Sequence, residues 1–405
     1  MHVLILSFGL VEEGGGPGVA VVGFAEQLVR RGARVTVIAA HRDGRWIVTA
    51  EDARRAGYDM VRLAPSARGA RTWRMLEAAR AAVGKDRDVV TWVNGIWGSA
   101  SLVATALWRE RDVPFVVRPA GSLGVAALRY GAWKKALYYR AIERPILRRA
   151  AALHCMSGRE RDELPVELRP RAFVVPTGVD LPERAPPMDT PRLILGVLAR
   201  VHPIKRHGAA LDAVEALVRQ GHDVELEIAG AREVGDYAKS LEHRVAASPA
   251  LADRVRFLGH VQRRDVAGVV ARWRCALLLS EQENFGHAVV TAAAAGVPTV
   301  VSPGVGLGAD LARAGAGVVA EGPGVVDGAR GFLSADRESV ANRCRAFAEL
   351  YGWDDVGRKL HAQLASVLEA RRAEPVKSVE LVGPDGGTKP RANAQRQRHP
   401  ASRGN

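Results

Sequence analysis

Apolar runs alternate with helical patterns along almost the whole chain. In the first half, runs rich in aliphatic and aromatic residues predict strands at 2–8, 33–40, 88–94, 114–119 and 152–157. Apolar residues at helical spacing predict helices between them at 18–31, near 99–110 and near 129–150. Because strands that alternate with helices of this length form βαβ units, we expect a mainly parallel sheet.

A proline-rich segment interrupts this pattern near the middle of the chain. Five prolines lie between residues 176 and 191, which is typical of a linker. The alternation then resumes, with strands predicted at 193–200, 224–230, 255–261, 275–280 and 299–304, helices at 206–219, 236–247 and 264–272, and a further helix that Gly286 opens and Gly296 closes. A final helical stretch is predicted at 337–370.

The fold class that this order predicts is α/β, with two doubly wound Rossmann-like domains that face each other across a cleft. We place the first domain at 1–180 and the second at 191–345, followed by a closing helical segment at 346–370. Residues 371–405 are poor in apolar residues and hold eight Lys or Arg against three Asp or Glu. They are therefore expected to form a disordered basic tail.

Composition narrows the class of protein. The chain has 405 residues, enough for two domains, and its formal net charge of +14 favours anionic partners. Three scattered cysteines give no disulfide framework and no zinc pattern, which fits a reducing cytosol. The first residues lack the positive start of a signal peptide, and no segment reaches the ~18 consecutive apolar residues of a membrane span. We expect a cytoplasmic protein, soluble or peripheral to a membrane.

Two cations follow the first strand of the second half. In doubly wound sheets, ligands lie beyond the carboxyl ends of the strands, close to helix N-termini. Arg200 and Lys205 occupy such a position after the strand at 193–200, where paired cations would bind a diphosphate well. Taken alone, the pair is equally consistent with a solvated basic loop.

A carboxylate and a helix N-terminus come together after the strand at 275–280. Glu283 precedes the helix whose first amides belong to Phe285, Gly286 and His287. By itself, Glu283 could simply complement the helix dipole. Because the basic pair lies in the same half, we expect the cations and the dipole to bind a diphosphate and the carboxylate and amides to bind sugar hydroxyls.

A glycine-rich turn follows the first strand. Gly15 and Gly16 lie just before Pro17, which suits a first helical position, and the glycines let backbone amides approach an anion closely. A tight strand-to-helix turn is the alternative interpretation. The stretch is not GxGxxG, and no acidic residue ends the strand at 33–40, which disfavours a nicotinamide cofactor.

The helix predicted near 129–150 is strongly basic. Residues 129–149 contain seven Lys or Arg against one acid, Glu143, and Trp133, Leu137 and Tyr138 interleave with the cations. Such a face suits an anionic membrane surface or a lipid-diphosphate acceptor. The alternative is an exposed helix that buries its apolar residues in its own domain. Nucleic acid is not expected as a partner, because no recognition motif accompanies the charge.

Several ordered motifs resemble those of the family 4-type retaining glycosyltransferases with the GT-B fold, in particular a bacterial cell-surface polysaccharide subgroup. The family's Glu-x7-Glu signature matches ENFGHAVVTAAAAGVPTVV, and its Gly-Arg-Leu and Lys-Gly elements match LARVHPIKR, with Ala199 and Arg206 in the glycine positions. VRFLGHV, VVPTGVDLP, GWDDVGRKL and RPAGSL are similar to further family motifs. The resemblance covers roughly residues 1–368.

The resemblance implies a role for each site residue. Arg200 and Lys205 would bind the donor's diphosphate and stabilise it as the leaving group, with Glu283 at the transferred sugar. The remaining positions would contact the donor through backbone or side chain: Gly15, Gly16, Val261, Phe285, Gly286 and His287. The family retains the configuration of the sugar and needs no metal or cofactor, so the leaving diphosphate is the main charge to stabilise.

This sequence departs from the family pattern at three further places. Thr291 replaces the second Glu of the signature, which grips the ribose in relatives. Ala120 replaces a histidine, which Arg118 could partly substitute, and Asn94 and Trp97 stand in NGIW where relatives have HGLW.

The activity expected from the resemblance is transfer of a sugar from a nucleoside diphosphate donor to a polyprenyl-diphosphate-linked saccharide during assembly of exopolysaccharide, capsule or O-antigen. The departures keep two alternatives open. One is a non-catalytic scaffold that binds a sugar nucleotide or a partner enzyme, and the other is a sugar-nucleotide epimerase.

Overall fold

The computed structural model describes residues 1–10, 16–40, 46–65, 67–123, 132–182, 193–232 and 235–373. Part of the helix predicted near 129–150 lies outside these residues, as does the basic tail beyond residue 373.

Within these ranges the first domain forms a parallel sheet of seven strands in the order β3-β2-β1-β4-β5-β6-β7. The strands are β1 His2–Phe8, β2 Arg34–Ala40, β3 Asp59–Leu63, β4 Val89–Asn94, β5 Phe115–Arg118, β6 Ala152–Cys155 and β7 Ala172–Val174. In the interior strand β1 every residue but Phe8 is buried, because helices cover both faces of the sheet. The helices are α1 Gly16–Arg30, α2 Ala50–Arg55, α3 Arg68–Val83, α4 Ser99–Arg111, α5 Ala132–Tyr138, α6 Arg144–Arg149 and α7 Gly158–Glu163.

The second domain repeats this design with a parallel sheet of six described strands in the order β10-β9-β8-β11-β12-β13. The strands are β8 Leu193–Leu198, β9 Val224–Ala229, β10 Val255–Gly259, β11 Cys275–Leu278, β12 Thr299–Val301 and β13 Gly317–Val319. The helices are α8 His207–Arg219, α9 Asp236–Ala247, α10 Arg263–Ala271, α11 His287–Ala294, α12 Gly308–Arg313, α13 Pro323–Ser334, α14 Arg337–Glu349 and α15 Trp353–Ala373. The predicted fold class, two doubly wound α/β domains, is confirmed.

Three strands that the pattern did not predict lie at sheet edges: β3, β7 and β13. Edge strands are short and only half covered, so their sequences lack the continuous apolar run of an interior strand. Asp59 and Arg62 on β3 illustrate this, since both are polar residues within a strand of five residues.

Two predicted helices are interrupted. The helix near 129–150 contains a π-helical turn, Tyr139–Glu143, between α5 and α6. Pro145 follows this turn and cannot donate the backbone hydrogen bond of a regular helix. The stretch predicted at 337–370 is broken between α14 and α15, where Val179 N donates to Tyr351 O over 2.9 Å. Residues 350–352 therefore leave the helix and run beside the interdomain linker.

The last helix returns to the first domain. Trp353, Val356 and Leu360 of α15 belong to the same buried apolar cluster as Phe24 of α1. The rings of Trp353 and Phe24 lie 5.4 Å apart edge to face. The chain thus crosses between the domains twice, and the two crossings are joined by a parallel bridge between Val179 and Gly352. Across the described ranges, no helix combines the length and apolar character that spanning a bilayer needs.

Candidate functional site

A cleft of about 720 Å³ lies where the carboxyl ends of the two sheets face each other. The first domain contributes Val19 and Ile47, and the second contributes the ends of its central strands. Six residues selected from the sequence line this cleft: Arg200, Lys205, Val261, Glu283, His287 and Thr291. Positions up to 91 residues apart in the chain therefore meet in one cavity.

The basic loop after β8 is fixed by its backbone. Ala199 N donates to Ala229 O over 3.0 Å, and Val201 N donates to Ala231 O over 2.9 Å. Lys205 ends a 3₁₀ turn, and Arg206 then adopts a left-handed conformation with φ 52°. The family has glycine at this position, so the backbone shape is kept although a side chain is present. The loop directs Arg200 and Lys205 into the cleft.

Lys205 and Glu283 form an ion pair inside the cleft. Their side chains are 16% and 24% exposed, so water screens the pair only in part. A diphosphate that binds Lys205 must compete with the carboxylate, and its arrival would leave Glu283 available to sugar hydroxyls.

The acidic loop that carries Glu283 is held between two turns. Glu281 N donates to Ile204 O over 2.8 Å, and Glu283 N donates to Gly304 O over 3.0 Å. Gly306 N donates to Glu283 O over 2.7 Å. A Cβ at Gly304 or Gly306 would overlap the loop's backbone, so only glycine allows this approach. Glu283 is therefore preorganised, and the glycine spacing in SPGVGLG is the signal that sequence reasoning missed.

Gly286, with φ 91°, is the N-cap of helix α11, so it opens this helix as the sequence predicted. His287 opens the helix, and its Nε2 lies 3.2 Å from Gly178 O of the linker. Burial lowers the pKa of His287, so the neutral ring is favoured. Thr291 Oγ1 donates to His287 O over 3.0 Å and lies 3.3 Å from His287 Nδ1. The Phe285 side chain is 3% exposed and packs 5.6 Å from the Tyr351 ring, outside the cleft lining.

The far end of the cleft is formed by the segment after β10. Gly259 has φ 69° and accepts from Gly230 N over 2.8 Å, which brings Val261 to the cleft wall. Arg263 donates three hydrogen bonds of 2.9 to 3.1 Å to the carboxylate of Asp180 in the linker. The sequence did not select Arg263 or Asp180, because their pairing spans the two domains.

Arg118 and Asn94 lie beneath the surface and are absent from the lining formed by the described residues. Arg118 is 1% exposed, and its Nη1 donates to Asn94 Oδ1 over 2.7 Å. Its Nη2 contacts Met156 Sδ at 2.6 Å, and Thr177 Oγ1 of the linker lies 3.4 Å away. Burial lowers the pKa of Arg118 to about 10, which leaves it charged at neutral pH. Gly16 begins α1, and Gly15 lies outside the described residues.

The turn after β5 joins the first domain to the acidic loop. Ala120 and Gly121 both have positive φ, 50° and 79°. Gly121 N donates to Glu160 Oε1 over 2.7 Å, while Ser157 Oγ donates to Asn284 O over 2.9 Å. The ion pair at Glu283 is therefore one residue away from a contact between the domains.

Two family models match the chain. One, described as a glycosyl transferase 4-like domain, covers residues 15–178, and the other, glycosyl transferases group 1, covers residues 183–345. The first match contains strands β2 to β7, and the second contains β8 to β13.

Curated relatives match over about half of the chain. A GDP-mannose-dependent alpha-(1-6)-phosphatidylinositol dimannoside mannosyltransferase of Mycobacterium tuberculosis is 29% identical over 231 residues, which is 54% of this chain and 58% of that protein. A D-inositol 3-phosphate glycosyltransferase of Geodermatophilus obscurus is 27% identical over 227 residues, 52% of this chain and 50% of that protein. The matched region thus spans about half the length of these relatives.

Solved structures share the fold over nearly the full length. Anabaena HepE in complex with UDP-glucose superposes with a TM-score of 0.70 at 16% identity, covering 90% of this chain and 100% of that one. Sucrose-phosphate synthase from Thermosynechococcus elongatus superposes with a TM-score of 0.73 at 18% identity, covering 91% of this chain and 99% of that one. WaaG, a glycosyltransferase involved in lipopolysaccharide biosynthesis, superposes with a TM-score of 0.64 at 16% identity, covering 90% of this chain and 99% of that one.

Proposed function

We propose that this chain, which belongs to the family 4-type glycosyltransferases and has their GT-B fold, transfers a sugar from a nucleoside diphosphate donor to a lipid-linked saccharide. The observation that carries the proposal is the meeting of Arg200, Lys205 and Glu283 in one cleft. Two cations and a carboxylate at a helix N-terminus suit a diphosphate and a sugar respectively.

Arg200 and Lys205 would stabilise the charge that develops on the leaving diphosphate. This is the electrostatic form of catalysis, in which fixed charges are aimed at the atoms that gain charge in the transition state. The backbone bonds that hold the basic loop and the acidic loop keep these charges in place before the substrate binds. We propose transfer without a metal, because the cations themselves balance the leaving group, and with retention, because the family that the sequence resembles retains the configuration of the sugar.

The proposed acceptor is a polyprenyl-diphosphate-linked saccharide of bacterial surface polysaccharide assembly, reached from the cytoplasmic face of the membrane. The M. tuberculosis relative is named for a lipid acceptor, phosphatidylinositol dimannoside, which supports a lipid-linked substrate. Trp133 and Leu137, one helical turn apart on α5, are 72% and 64% exposed. Arg140 and Arg148 are exposed further along the same helical segment. An apolar end followed by cations suits the surface of an anionic membrane.

Hydrolysis of the donor tests the proposed reaction. The purified chain should release free nucleotide slowly from one member of a panel of UDP-, GDP-, ADP- and TDP-sugars, and EDTA should leave the rate unchanged. The double variant Arg200→Ala/Lys205→Ala should remove this release, while Arg313→Ala, an exposed arginine on α12, should not. No release from any donor would contradict the proposal.

Thr291 favours a second candidate, the non-catalytic scaffold. Its hydroxyl is bonded within its own helix at the position where the family has a carboxylate. A scaffold would bind the nucleotide without releasing free nucleotide from the donor, and an epimerase would instead yield an isomeric sugar nucleotide.

A further inference from the structure

The turn that follows β4 is held in a costly conformation. Trp97 has φ 71°, a left-handed value that a bulky side chain rarely adopts, and Gly95 before it has φ 89°. Trp97 N donates to Glu143 Oε1 over 2.8 Å, and Ser101 Oγ lies 3.1 Å from the same oxygen. The Glu143 carboxyl therefore fixes a backbone that would otherwise relax.

Glu143 is an unusual residue to find in such a place. It is fully buried, and its second oxygen, Oε2, has no hydrogen-bond partner within the described part of the chain. It ends the π-helical turn that begins at Tyr139, and such turns occur frequently at functional sites. Burying a carboxyl with one oxygen unpaired is unfavourable, so the position needs an explanation beyond packing.

The turn lies on the first domain's side of the interdomain junction. Gly95 N donates to Arg118 O over 2.8 Å, which ties the turn to the end of β5. The turn after β5 contains Gly121, which contacts Asn284 beside the ion pair of Lys205 and Glu283. Trp97 is half-buried: it packs against an apolar cluster of the first domain, and its ring lies 6.0 Å from the ring of Tyr138.

We propose that Glu143 is a positioning residue, which presents the Trp97 indole as a stacking surface for the saccharide of the acceptor. This inference rests on the proposed transferase function. A flat indole offers a large apolar area, and the C–H face of a pyranose ring is the complementary surface. The Glu143 side chain contacts the backbone of the turn at Trp97 N. Glu143 would therefore set the angle of the Trp97 indole and would not touch the sugar.

Fluorine NMR of the full chain labelled with 5-fluorotryptophan separates the two sides of the cleft. Trp97→Phe assigns the Trp97 signal, and Trp353→Phe assigns that of Trp353, which lines the donor cleft. The probes are octyl β-D-glucopyranoside below its micelle concentration, and the four nucleotides UDP, GDP, ADP and TDP. The glucoside should move the Trp97 signal, and one nucleotide should move that of Trp353.

Variants of Glu143 then test its role. Glu143→Ala should weaken the response of Trp97 to the glucoside about tenfold, the loss expected for one hydrogen bond to a carboxyl group. Glu143→Gln keeps an oxygen acceptor for Trp97 N and should respond as the wild type does. Glu167→Ala, a carboxylate that pairs with Arg144 of α6, is the matched control and should change nothing.

Glu143→Asp is one carbon shorter and keeps the carboxyl group, and it decides the question if the alanine variant does not fold. An unchanged glucoside response in folded Glu143→Ala or Glu143→Asp, or no response of Trp97 in the wild type, would overturn the inference. If no nucleotide moves the Trp353 signal, the proposed function itself fails, and this outcome is distinct from the others.

Discussion

The side-chain amide of Asn284 lies directly over the backbone of Gly121, although the two residues belong to different domains. A Cβ built on Gly121 would overlap the amide group, and φ at this glycine is 79°. Ser157 Oγ donates to Asn284 O over 2.9 Å beside it. The approach of the two domains therefore depends on the absence of a side chain at one position.

Gly121→Ala is expected to slow transfer and donor hydrolysis by tenfold or more, because the new methyl group would hold the domains apart. Nucleotide affinity should change less than twofold, since Arg200, Lys205 and Val261 all lie in the second domain. Activity assays and calorimetry measure the two quantities.

Gly331→Ala is the matched control, because a Cβ there would meet nothing within 4 Å in the described structure. Adding Asn284→Ala to the Gly121 variant should restore part of the activity. Wild-type turnover in Gly121→Ala would show that this contact is not needed.

The basic loop provides the next prediction. Charge-assisted hydrogen bonds contribute roughly 1.5–3 kcal/mol each, so Arg200→Ala or Lys205→Ala should lower kcat/KM by about 10- to 100-fold. Arg206→Ala is the neighbouring control, since Arg206 pairs with Glu321 at the surface. Steady-state kinetics with the best donor of the panel give the comparison. An equal loss of kcat/KM in all three variants would contradict specific roles for Arg200 and Lys205 and would indicate a general effect of positive charge.

Thr291 provides a gain-of-function test. A carboxylate here would lie near the positive end of the α11 dipole and could accept both ribose hydroxyls. Thr291→Glu should tighten binding of the nucleoside diphosphate by ~1.5–3 kcal/mol, or about 10- to 100-fold in Kd. Thr291→Gln introduces an uncharged side chain of the same size and should show little of this gain in affinity. A deoxyribose analogue of the nucleotide should lose most of the gain in Thr291→Glu. Unchanged binding in calorimetry would favour the scaffold.

Interior elements of the fold could be predicted from the sequence, and contacts between distant segments could not. Strands such as β1 and β4 are mostly apolar, since helices cover both their faces, and this pattern is local. The bond of Trp97 N to Glu143 joins residues 46 apart, and that of Ser157 to Asn284 joins residues 127 apart. No spacing rule connects such pairs.

The burial of Arg118 was equally beyond sequence reasoning. A charged residue at a strand end is usually exposed, so a direct contact with substrate was the natural expectation. The structure instead buries the guanidinium against Asn94 and the linker. Its proposed role in substrate binding stays a prediction.

His154 makes stability depend on pH. It is fully buried, accepts from Trp92 Nε1 over 3.1 Å, and its Nε2 lies 2.7 Å from Val175 O. Burial, with the nearby charge of Arg118, lowers its pKa from 6.5 to about 3. The neutral ring therefore stabilises the folded state fully above pH 6.5, and this contribution is lost as the pH falls from 6.5 towards 3.

His154→Gln keeps one acceptor and one donor but cannot titrate. In denaturant titrations between pH 6 and 4, the free energy of unfolding should fall less steeply in this variant, by up to ~1.4 kcal/mol per pH unit. Exposed His243 is a control position, and His243→Gln should leave the slope unchanged. Identical slopes in all three proteins would contradict the assignment.

The exposed face of α5 predicts binding to anionic membranes. Vesicles that contain phosphatidylglycerol should bind the wild type, and salt should weaken the binding because it screens the arginines. Trp133→Ser/Leu137→Ser and Arg140→Glu/Arg148→Glu should each reduce cosedimentation severalfold. Val319→Ser removes an exposed apolar residue at the end of β13 and should have no effect. Equal binding to neutral vesicles would show that the arginines do not attract the protein to anionic lipid.

The return of α15 to the first domain has a consequence for synthesis. Trp353, Val356 and Leu360 complete an apolar core that includes Phe24, which is made more than 300 residues earlier. During synthesis, an apolar surface of the first domain therefore stays uncovered until the whole second domain has emerged from the ribosome. A nascent chain stalled before residue 353 should bind chaperones more strongly than one released after 373, and cutting the chain in the linker would not yield two independent folding units.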